Sequence, residues 1–228
     1  RLIFDDGEDG AQMDFEKFFG KRMADKIEAP SENGPSETIE QMYMYLRDLI
    51  RTGEPFIYVR DSHDALSSEY EEGKIEEKET ELKGGKKAKA DYGDGKAKYN
   101  SRHLRGLVTS LAKTKSILII ISQLRDNIDA GKFDDPHVVA GGHALKFYAT
   151  SQIWTTVGSK LTKEYNKKER KIGANCNIQT RKNRYSGKPA FVKVPIYYSS
   201  GFDDIQSMVD WLLEEKIWSA AGGRINTK

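Results

Sequence analysis

FIYVRDSHDAL, residues 56–66, joins a short run of apolar and β-branched side chains directly to a polar turn. Runs of this length and composition are typical of strands buried inside a parallel sheet. Two further stretches repeat the pattern: LIFDDGED at residues 2–9 and ILIIISQLR at residues 117–125. Together they predict three parallel strands, at residues 2–4, 56–59 and 117–121, each followed by polar residues.

Helical patterns lie between and after these strands. Apolar residues at helical spacing occur in residues 39–50, 104–111, 144–148 and 205–212, and Ser36 is the predicted N-cap of the first helix. Near the C-terminus, NCNIQTRKNR and AFVKVPIYY are predicted to be adjacent strands around a turn at residues 186–189. The pattern predicts an α/β fold, with a mainly parallel sheet flanked by helices and an antiparallel extension near the C-terminus.

Length, apolar content, cysteine content and net charge limit the classes of protein to which the chain can belong. The chain has 228 residues, enough to bury a full core. It contains no run of about eighteen apolar residues, so no membrane partner is expected. Its one cysteine, Cys176, excludes an internal disulfide and is typical of the reducing cytoplasm. Because the net charge is only +2, anion binding has to come from local patches.

One segment, residues 71–100, contains almost no apolar residues. Its first half is mainly acidic and its second half mainly basic. Residues 71–82 hold six Glu and two Lys, whereas residues 83–98 hold six Lys and two Asp. Such a stretch buries too little surface to offset its ordering entropy, so we predict a mobile loop. Two interpretations stay open: a solvated spacer, or a loop whose basic half contacts a polyanion.

Polar residues follow all three predicted strands. The carboxyl ends of parallel strands share one edge of the sheet, and ligands bind there in open α/β sheets. In nucleotide triphosphatases, a carboxylate after a strand holds hydrated Mg²⁺, a second polarises the attacking water, and an amide senses the γ-phosphate. The residues of this chain available for such roles are Asp6, Glu8, Asp61, Ser62, Ser122 and Gln123.

These stretches resemble the RecA family of recombinases. The resemblance extends from Arg1 to about Gly223, and GFDDIQSMVDWLLEEKIWSAAGG is similar to the segment that closes the family's core. It implies a RecA-type P-loop NTPase core over residues 1–223, followed by a tail at residues 224–228.

The resemblance also implies roles for the residues at the strand ends. FDDGED is similar to the strand with the family's catalytic glutamate, which corresponds to Glu8. FIYVRDSHDAL resembles the Walker B strand, which implies Asp61 as the aspartate linked to Mg²⁺ through water and Ser62 as its serine. IIISQLR resembles the strand whose glutamine reports the γ-phosphate of ATP to the DNA-binding loop, here Gln123.

GGHALKFYAT, residues 141–150, is the most specific match to this family. The resemblance implies that Gly141 and Gly142 end a second DNA-binding loop, residues 127–140, and that their backbone amides contact DNA phosphates. The residues themselves favour the same role, because a helix N-terminus offers free N–H groups and glycine permits close approach. A tight turn before a core helix is the alternative.

The first DNA-binding loop of the family corresponds to the charged segment, residues 71–100. Directly after it, Ser101 and Arg105 match positions that touch the DNA backbone. They are four residues apart and therefore share one face of a helix. Arg125 is a further candidate for a phosphate contact, and an ordinary surface arginine is the alternative.

RKNR, residues 181–184, resembles the family's basic pair, which implies that Lys182 and Arg184 reach the nucleotide of a neighbouring subunit. The implied assembly is a homo-oligomer, a helical filament or a ring, with ATP and Mg²⁺ at the subunit interface. The leading hypothesis is a DNA-dependent ATPase and recombinase of DNA repair. It would form a filament on single-stranded DNA and exchange strands with homologous double-stranded DNA.

Two other functions stay open. KNRYSG also resembles the Lys-Asn-Arg-Phe-Gly motif of RadA/Sms proteins, so a hexameric helicase or branch-migration motor is the first alternative. No Gly-x-x-x-x-Gly-Lys-Ser/Thr sequence occurs in the chain, which leaves a non-hydrolysing DNA-binding protein as the second. The three residues Glu8, Asp61 and Gln123 argue against the second alternative. We expect the P-loop to lie upstream of Arg1, in a longer protein.

Arg60 departs from the family pattern, in which the Walker B run is apolar. A charged side chain in a buried strand requires an acidic partner or a conformation that reaches solvent. His63 and His143 are predicted to be polar packing residues rather than metal ligands, because no Cys/His cluster surrounds them.

Overall fold

The computed structural model describes residues 1–10, 13–83, 95–126, 131, 137–139 and 143–227. The chain divides into two compact units, Arg1–Tyr148 and Ala149–Lys228. The predicted core over residues 1–223 spans both units, and Arg224–Asn226, within the predicted tail, forms a strand. None of the helices among the described residues is long and apolar enough to cross a membrane.

The first unit is built on a four-stranded parallel sheet. Its strands are β1 (Leu2–Asp6), β2 (Ile27–Glu28), β3 (Ile57–Asp61) and β4 (Ile117–Ile120), in the order β2-β1-β3-β4. The three predicted strands are thus confirmed as neighbours. A short antiparallel pair, β5 (Leu124–Asp126) and β6 (His137–Val139), continues from β4. The helices are α1 (Phe15–Phe19), α2 (Lys21–Ala24), α3 (Ile39–Thr52), α4 (Glu69–Lys83), α5 (Gly95–Lys113) and α6 (His143–Tyr148).

Helix α3 supplies much of the core of the first unit. Its buried side chains are Ile39, Met42, Tyr43, Leu46 and Leu49, and they pack with Ile3, Tyr58, Leu66, Leu104 and Leu107. Full burial of such side chains stabilises the fold by about 1.5–3 kcal/mol each. The N-cap is Thr38, whose Oγ1 accepts a hydrogen bond from the Gln41 amide at 3.3 Å. The prediction of Ser36 as the cap is wrong, because Ser36 is engaged elsewhere.

Where the structure describes the charged segment, at residues 71–83 and 95–100, it is helical and does not form the predicted loop. Glu and Lys are good helix formers, and this propensity favours the helix despite the lack of apolar residues. In α4, Glu69, Glu71 and Glu72 lie in the first turn and Lys83 in the last, which matches the helix dipole. Residues 84–94 lie outside the described residues.

The second predicted loop, residues 127–140, is also partly structured. His137–Val139 forms β6, which pairs with β5 through the register Leu124↔Val139 and Asp126↔His137. The prediction of a loop is therefore wrong for these three residues, and apart from Gly131 the rest of the segment lies outside the described residues.

Strand β4 forms one edge of the parallel sheet. Within the described ranges it pairs with β3 alone, in the register Val59↔Ile119. Ile117, Ile119 and Ile121 are 54%, 43% and 41% exposed. Exposed apolar strands at a sheet edge offer unpaired backbone groups to a further strand.

The second unit contains an antiparallel sheet and helix α7 (Asp204–Glu214). The strands of this sheet are β7 (Ser151–Tyr165), β8 (Lys168–Asn183), β9 (Phe191–Tyr197) and β10 (Gly201–Phe202). Their order in the sheet is β10-β9-β8-β7. A separate hairpin follows, formed by β11 (Ser219–Ala221) and β12 (Arg224–Asn226). The predicted pairing of the strands around residues 186–189 is confirmed by the register Cys176↔Val194. Sequence analysis missed the long β7–β8 hairpin. Its turn residues Asn166 and Lys167 have φ of 51° and 60°, as a type I′ turn requires.

Candidate active site

The turn after β1 places Glu8 at the carboxyl edge of the sheet. Asp6 faces Asp61 in the β1–β3 register, and the Gly7 amide donates to the Asp61 carbonyl at 2.8 Å. The Asp6 carboxylate then accepts from the amides of Glu8 at 3.3 Å and Gly10 at 3.2 Å. These bonds close a tight loop that holds Glu8 beside the end of β3.

Three of the predicted site residues meet at the Glu8 carboxylate. Ser62, directly after β3, donates a hydrogen bond from Oγ to Glu8 Oε1. Gln123, beyond β4, donates from Nε2 to the same oxygen at 3.5 Å. The ends of three adjacent strands thus converge on one acid.

Asp61 lies at the end of β3 among other carboxylates. Its partial burial raises its pKa above the ordinary value, and the negative charges of Glu8 and Asp6 raise it further, against the effect of Arg60. Carboxylates that disfavour each other's ionisation create a place where a cation is stabilised. Across the described ranges, however, no group of three or more His, Cys, Asp or Glu residues is arranged to hold a metal ion.

Arg60 has the acidic partner that its position in a buried strand requires. Its Nη1 lies 2.8 Å from Asp5 Oδ1, and both side chains are fully buried. Nη1 also donates to the Ser36 carbonyl at 3.2 Å, and Nε donates to the Ser62 carbonyl at 3.1 Å. Arg60 thereby ties the end of β1 to the residue that contacts Glu8.

Several groups donate hydrogen bonds to the Asp5 carboxylate. Oδ2 accepts from the Tyr58 hydroxyl at 2.6 Å and from Ser36 Oγ at 2.8 Å, while Oδ1 accepts from the Ser36 amide at 2.7 Å. Burial of Tyr58, reinforced by the Asp5 charge, raises the pKa of the tyrosine well above its ordinary value. Ser36 therefore forms hydrogen bonds within this buried network and does not cap α3.

Gly7 is required by the same network. A Cβ on Gly7 would lie 1.9 Å from Arg60 Nη2, an impossible contact with a buried guanidinium. The missing side chain is what lets the β1 turn close over Arg60.

Asp64 is a site residue that sequence analysis missed. Its Oδ2 accepts from Ser122 Oγ and from the Gln123 amide, both at 2.8 Å. Arg125, the candidate for a phosphate contact, lies 3.7 Å from Asp64 Oδ1 with its side chain 65% exposed. Asp64 thus fixes the backbone from which Gln123 projects. The only local signal was a second acid two residues after Ser62.

Two of the candidate DNA-binding residues, Ser101 and Arg105, lie on α5. Ser101 is half-buried on α5, and Arg105 is exposed with Nε 3.4 Å from the Tyr148 hydroxyl. Gly141 and Gly142 lie outside the described residues. The helix predicted after them begins at His143, and Tyr148 packs against the core as expected.

The basic pair belongs to the second unit. Lys182 lies in β8 opposite Gln152, and the Arg184 amide donates to the Thr150 carbonyl at 3.0 Å. The side chain of Arg184 is exposed and that of Lys182 is half-buried.

Comparison with known proteins identifies the family. The RecA N-terminal domain model matches residues 30–203, well over half of the chain. The chain belongs to the RecA family. The match spans β3, β4 and the strands of the basic pair, whereas Glu8 precedes it.

Curated relatives agree with this assignment to the RecA family. The chain is 29% identical over 180 residues to Protein RecA of Ureaplasma parvum serovar 3, an alignment that covers 78% of this chain and 48% of that protein. It is 30% identical over 126 residues to Protein RecA of Lactobacillus delbrueckii subsp. bulgaricus, which covers 55% and 37% respectively. For Protein RecA of Streptococcus uberis the identity is 29% over 143 residues, with coverage of 58% and 38%. The chain thus spans about half the length of these relatives, or less.

Proposed function

We propose that the complete protein is an ATP-dependent recombinase that forms a filament on single-stranded DNA and exchanges strands with homologous double-stranded DNA. The observation that carries the proposal is the convergence of Ser62 and Gln123 on Glu8 at three adjacent strand ends. Membership of the RecA family supports the same activity.

In this proposal Glu8 polarises the water that attacks the γ-phosphate of ATP. The hydrogen bond from Ser62 holds its carboxylate at the sheet edge. Asp61 contacts hydrated Mg²⁺, which when bound neutralises charge on the transferring phosphate. The carboxylates of Glu8 and Asp6 supply the negative potential that such an ion needs.

Gln123 is proposed to sense the γ-phosphate. Its 3.5 Å contact with Glu8 is at the long limit of a hydrogen bond, so the amide can exchange this partner for a phosphate oxygen at small cost. Leu124 and Arg125 continue directly into β5, which pairs with β6. A movement of Gln123 would therefore be transmitted through β5 and β6 to the segment proposed as the second DNA-binding loop, which ends at Gly141 and Gly142.

The nucleotide site also needs a phosphate-binding loop, which the 228 residues do not contain. Within the described ranges β4 pairs with β3 alone, so its other edge suits a further parallel strand, and we propose that this strand carries the P-loop. In the assembled homo-oligomer, Lys182 and Arg184 would reach the ATP of a neighbouring subunit. Cations beside the γ-phosphate would then make assembly and hydrolysis depend on each other.

The proposal is tested on the full-length protein by measuring ATP hydrolysis and strand exchange. We expect hydrolysis to be stimulated by single-stranded DNA and a single strand to be paired with homologous duplex. Unwinding of a tailed duplex without homologous pairing would instead identify a helicase or a branch-migration motor. DNA binding without any hydrolysis would identify a non-hydrolysing binding protein.

Arg105 provides a prediction about DNA binding. In Arg105→Ala, affinity for single-stranded DNA should fall to the same degree for poly-dT and for a mixed sequence, because a phosphate contact carries no sequence information. The slope of log K against log salt should decrease by about 0.7 in magnitude for one lost contact. Fluorescence anisotropy across a salt series measures both quantities.

Lys113 is the matched control for Arg105, since it is an exposed cation near the C-terminal end of the same helix. Lys113→Ala removes the same charge two turns away and should leave the slope unchanged. An equal loss of slope in both variants would show that α5 attracts DNA only through its overall charge.

A further inference from the structure

A buried chain of hydrogen bonds crosses the first unit outside the strand-end site. The Tyr43 hydroxyl on α3 donates to Asn100 Oδ1 on α5 at 2.8 Å. The Asn100 side-chain nitrogen lies 3.0 Å from His63 Nε2, in the turn after β3. All three side chains are at most 1% exposed. We name them the Tyr43–Asn100–His63 chain.

The direction of these bonds follows from the orientation of the Asn100 amide. The tyrosine hydroxyl donates to the amide oxygen, so the amide nitrogen of Asn100 is the donor towards His63. Nε2 of His63 must then accept, which places the imidazole proton on Nδ1. His63 is therefore a packed, oriented polar group, as predicted for it.

One end of the Tyr43–Asn100–His63 chain is attached to the candidate active site. His63 follows Ser62, whose hydroxyl contacts Glu8. The His63 amide also donates to the Ile121 carbonyl at 2.8 Å, two residues before Gln123. His63 cannot shift without moving the ends of both β3 and β4.

The other end is attached to the helix with the candidate DNA-binding residues. Asn100 precedes Ser101 and lies five residues before Arg105 on α5. Apolar contacts tolerate sliding, whereas buried hydrogen bonds require fixed distances and are expensive to leave unmade. Leu104 and Leu107 hold α5 against the core, and Asn100 sets its register relative to the strand ends.

We propose that the Tyr43–Asn100–His63 chain couples nucleotide binding at the strand ends to DNA binding by α5. The inference rests on the proposed function, and it names three positioning residues that touch neither ligand. A displacement of Ser62 and His63 on nucleotide binding is passed to Asn100 and hence to α5. The coupling is reciprocal, since each ligand must change the affinity of the other by the same factor.

The experiment measures that factor in the full-length protein, as the ratio of single-stranded DNA dissociation constants without and with a non-hydrolysable ATP analogue. Asn100→Leu keeps the side-chain size and removes both hydrogen bonds. We expect the factor to fall towards one, from a wild-type value of about 5–150-fold. DNA affinity without nucleotide and nucleotide affinity without DNA should stay within about twofold of wild type, since no contact with either ligand is lost.

Tyr43→Phe removes one hydroxyl and keeps the packing, so it provides a second, milder variant. Its effect should not add to that of Asn100→Leu, because both break the same chain. Leu104→Ala is the matched control: Leu104 is 5% exposed on the same helix, four residues from Asn100, and takes no part in the hydrogen bonds. It should lower the melting temperature and keep the coupling factor.

The possible outcomes distinguish failure of this inference from failure of the proposed function. A wild-type coupling factor retained in both Asn100→Leu and Tyr43→Phe overturns the inference and leaves the proposed function intact. Loss of coupling in Leu104→Ala to the same degree also overturns it, since loosened packing would then be sufficient. A wild-type protein whose DNA affinity is the same with and without nucleotide also overturns the inference, whereas a wild-type protein without hydrolysis and strand exchange removes the proposed function.

Discussion

Replacing Glu8 by Gln is expected to slow ATP hydrolysis by the full-length protein about 10²–10⁴-fold, the usual contribution of a general base or water-positioning group. The amide keeps the size of the carboxylate, and its oxygen can still accept the hydrogen bond from Ser62. It has lost the negative charge that polarises water. ATP binding should therefore be preserved while turnover is lost, as measured by steady-state hydrolysis and by equilibrium nucleotide binding.

Asp9→Asn is the control for this substitution. Asp9 is the adjacent carboxylate, and its φ of 49° suits Asn as well as Asp. The change removes one negative charge from the same loop and should leave turnover within a few-fold of wild type. Equal rates in Glu8→Gln and the wild type would exclude Glu8 from the mechanism.

The second large effect concerns stability. Arg60→Met leaves the fully buried Asp5 carboxylate without its cation and should destabilise the protein by about 3–5 kcal/mol. Adding Asp5→Asn removes the unpaired charge as well, so the double variant should be more stable than the sum of the single effects predicts. The coupling energy should be about 0.5–3 kcal/mol, from urea unfolding of all four proteins.

An exposed ion pair provides the comparison. Arg51 and Asp48 are 2.7 Å apart, but their side chains are 75% and 57% exposed. Arg51→Met should change the free energy of unfolding by at most about 1 kcal/mol. Similar effects of Arg51→Met and Arg60→Met would mean that burial of the Asp5–Arg60 pair is not what makes it important.

Much of the strand-end architecture is predictable from local sequence. Apolar runs of strand length ending in polar residues occur three times, and β1, β3 and β4 lie side by side as expected. The topology brings Glu8, Ser62 and Gln123 to one edge of the sheet, and the hydrogen bonds of Asp6 and Asp64 then fix the turns that carry Glu8 and Gln123.

The supporting residues were less predictable, because their partners are distant in the chain. Ser36 has the form of a helix cap, but Asp5, 31 residues earlier, binds its amide and hydroxyl. Asp64 acts on residues more than fifty positions later. The helix α4 is hard to predict for another reason: its sequence has helix propensity but no apolar face, and an apolar face is the main sign of a helix in a sequence.

The contact between Gly7 and Arg60 restricts the order in which these two positions can evolve. A side chain gained at position 7 while Arg60 remains would displace the guanidinium from its buried ion pair with Asp5, so that intermediate should be destabilised. Shortening residue 60 first, together with neutralisation of Asp5, opens the space. Descendants of this sequence should therefore carry any residue other than glycine at position 7 only on a background already altered at positions 5 and 60.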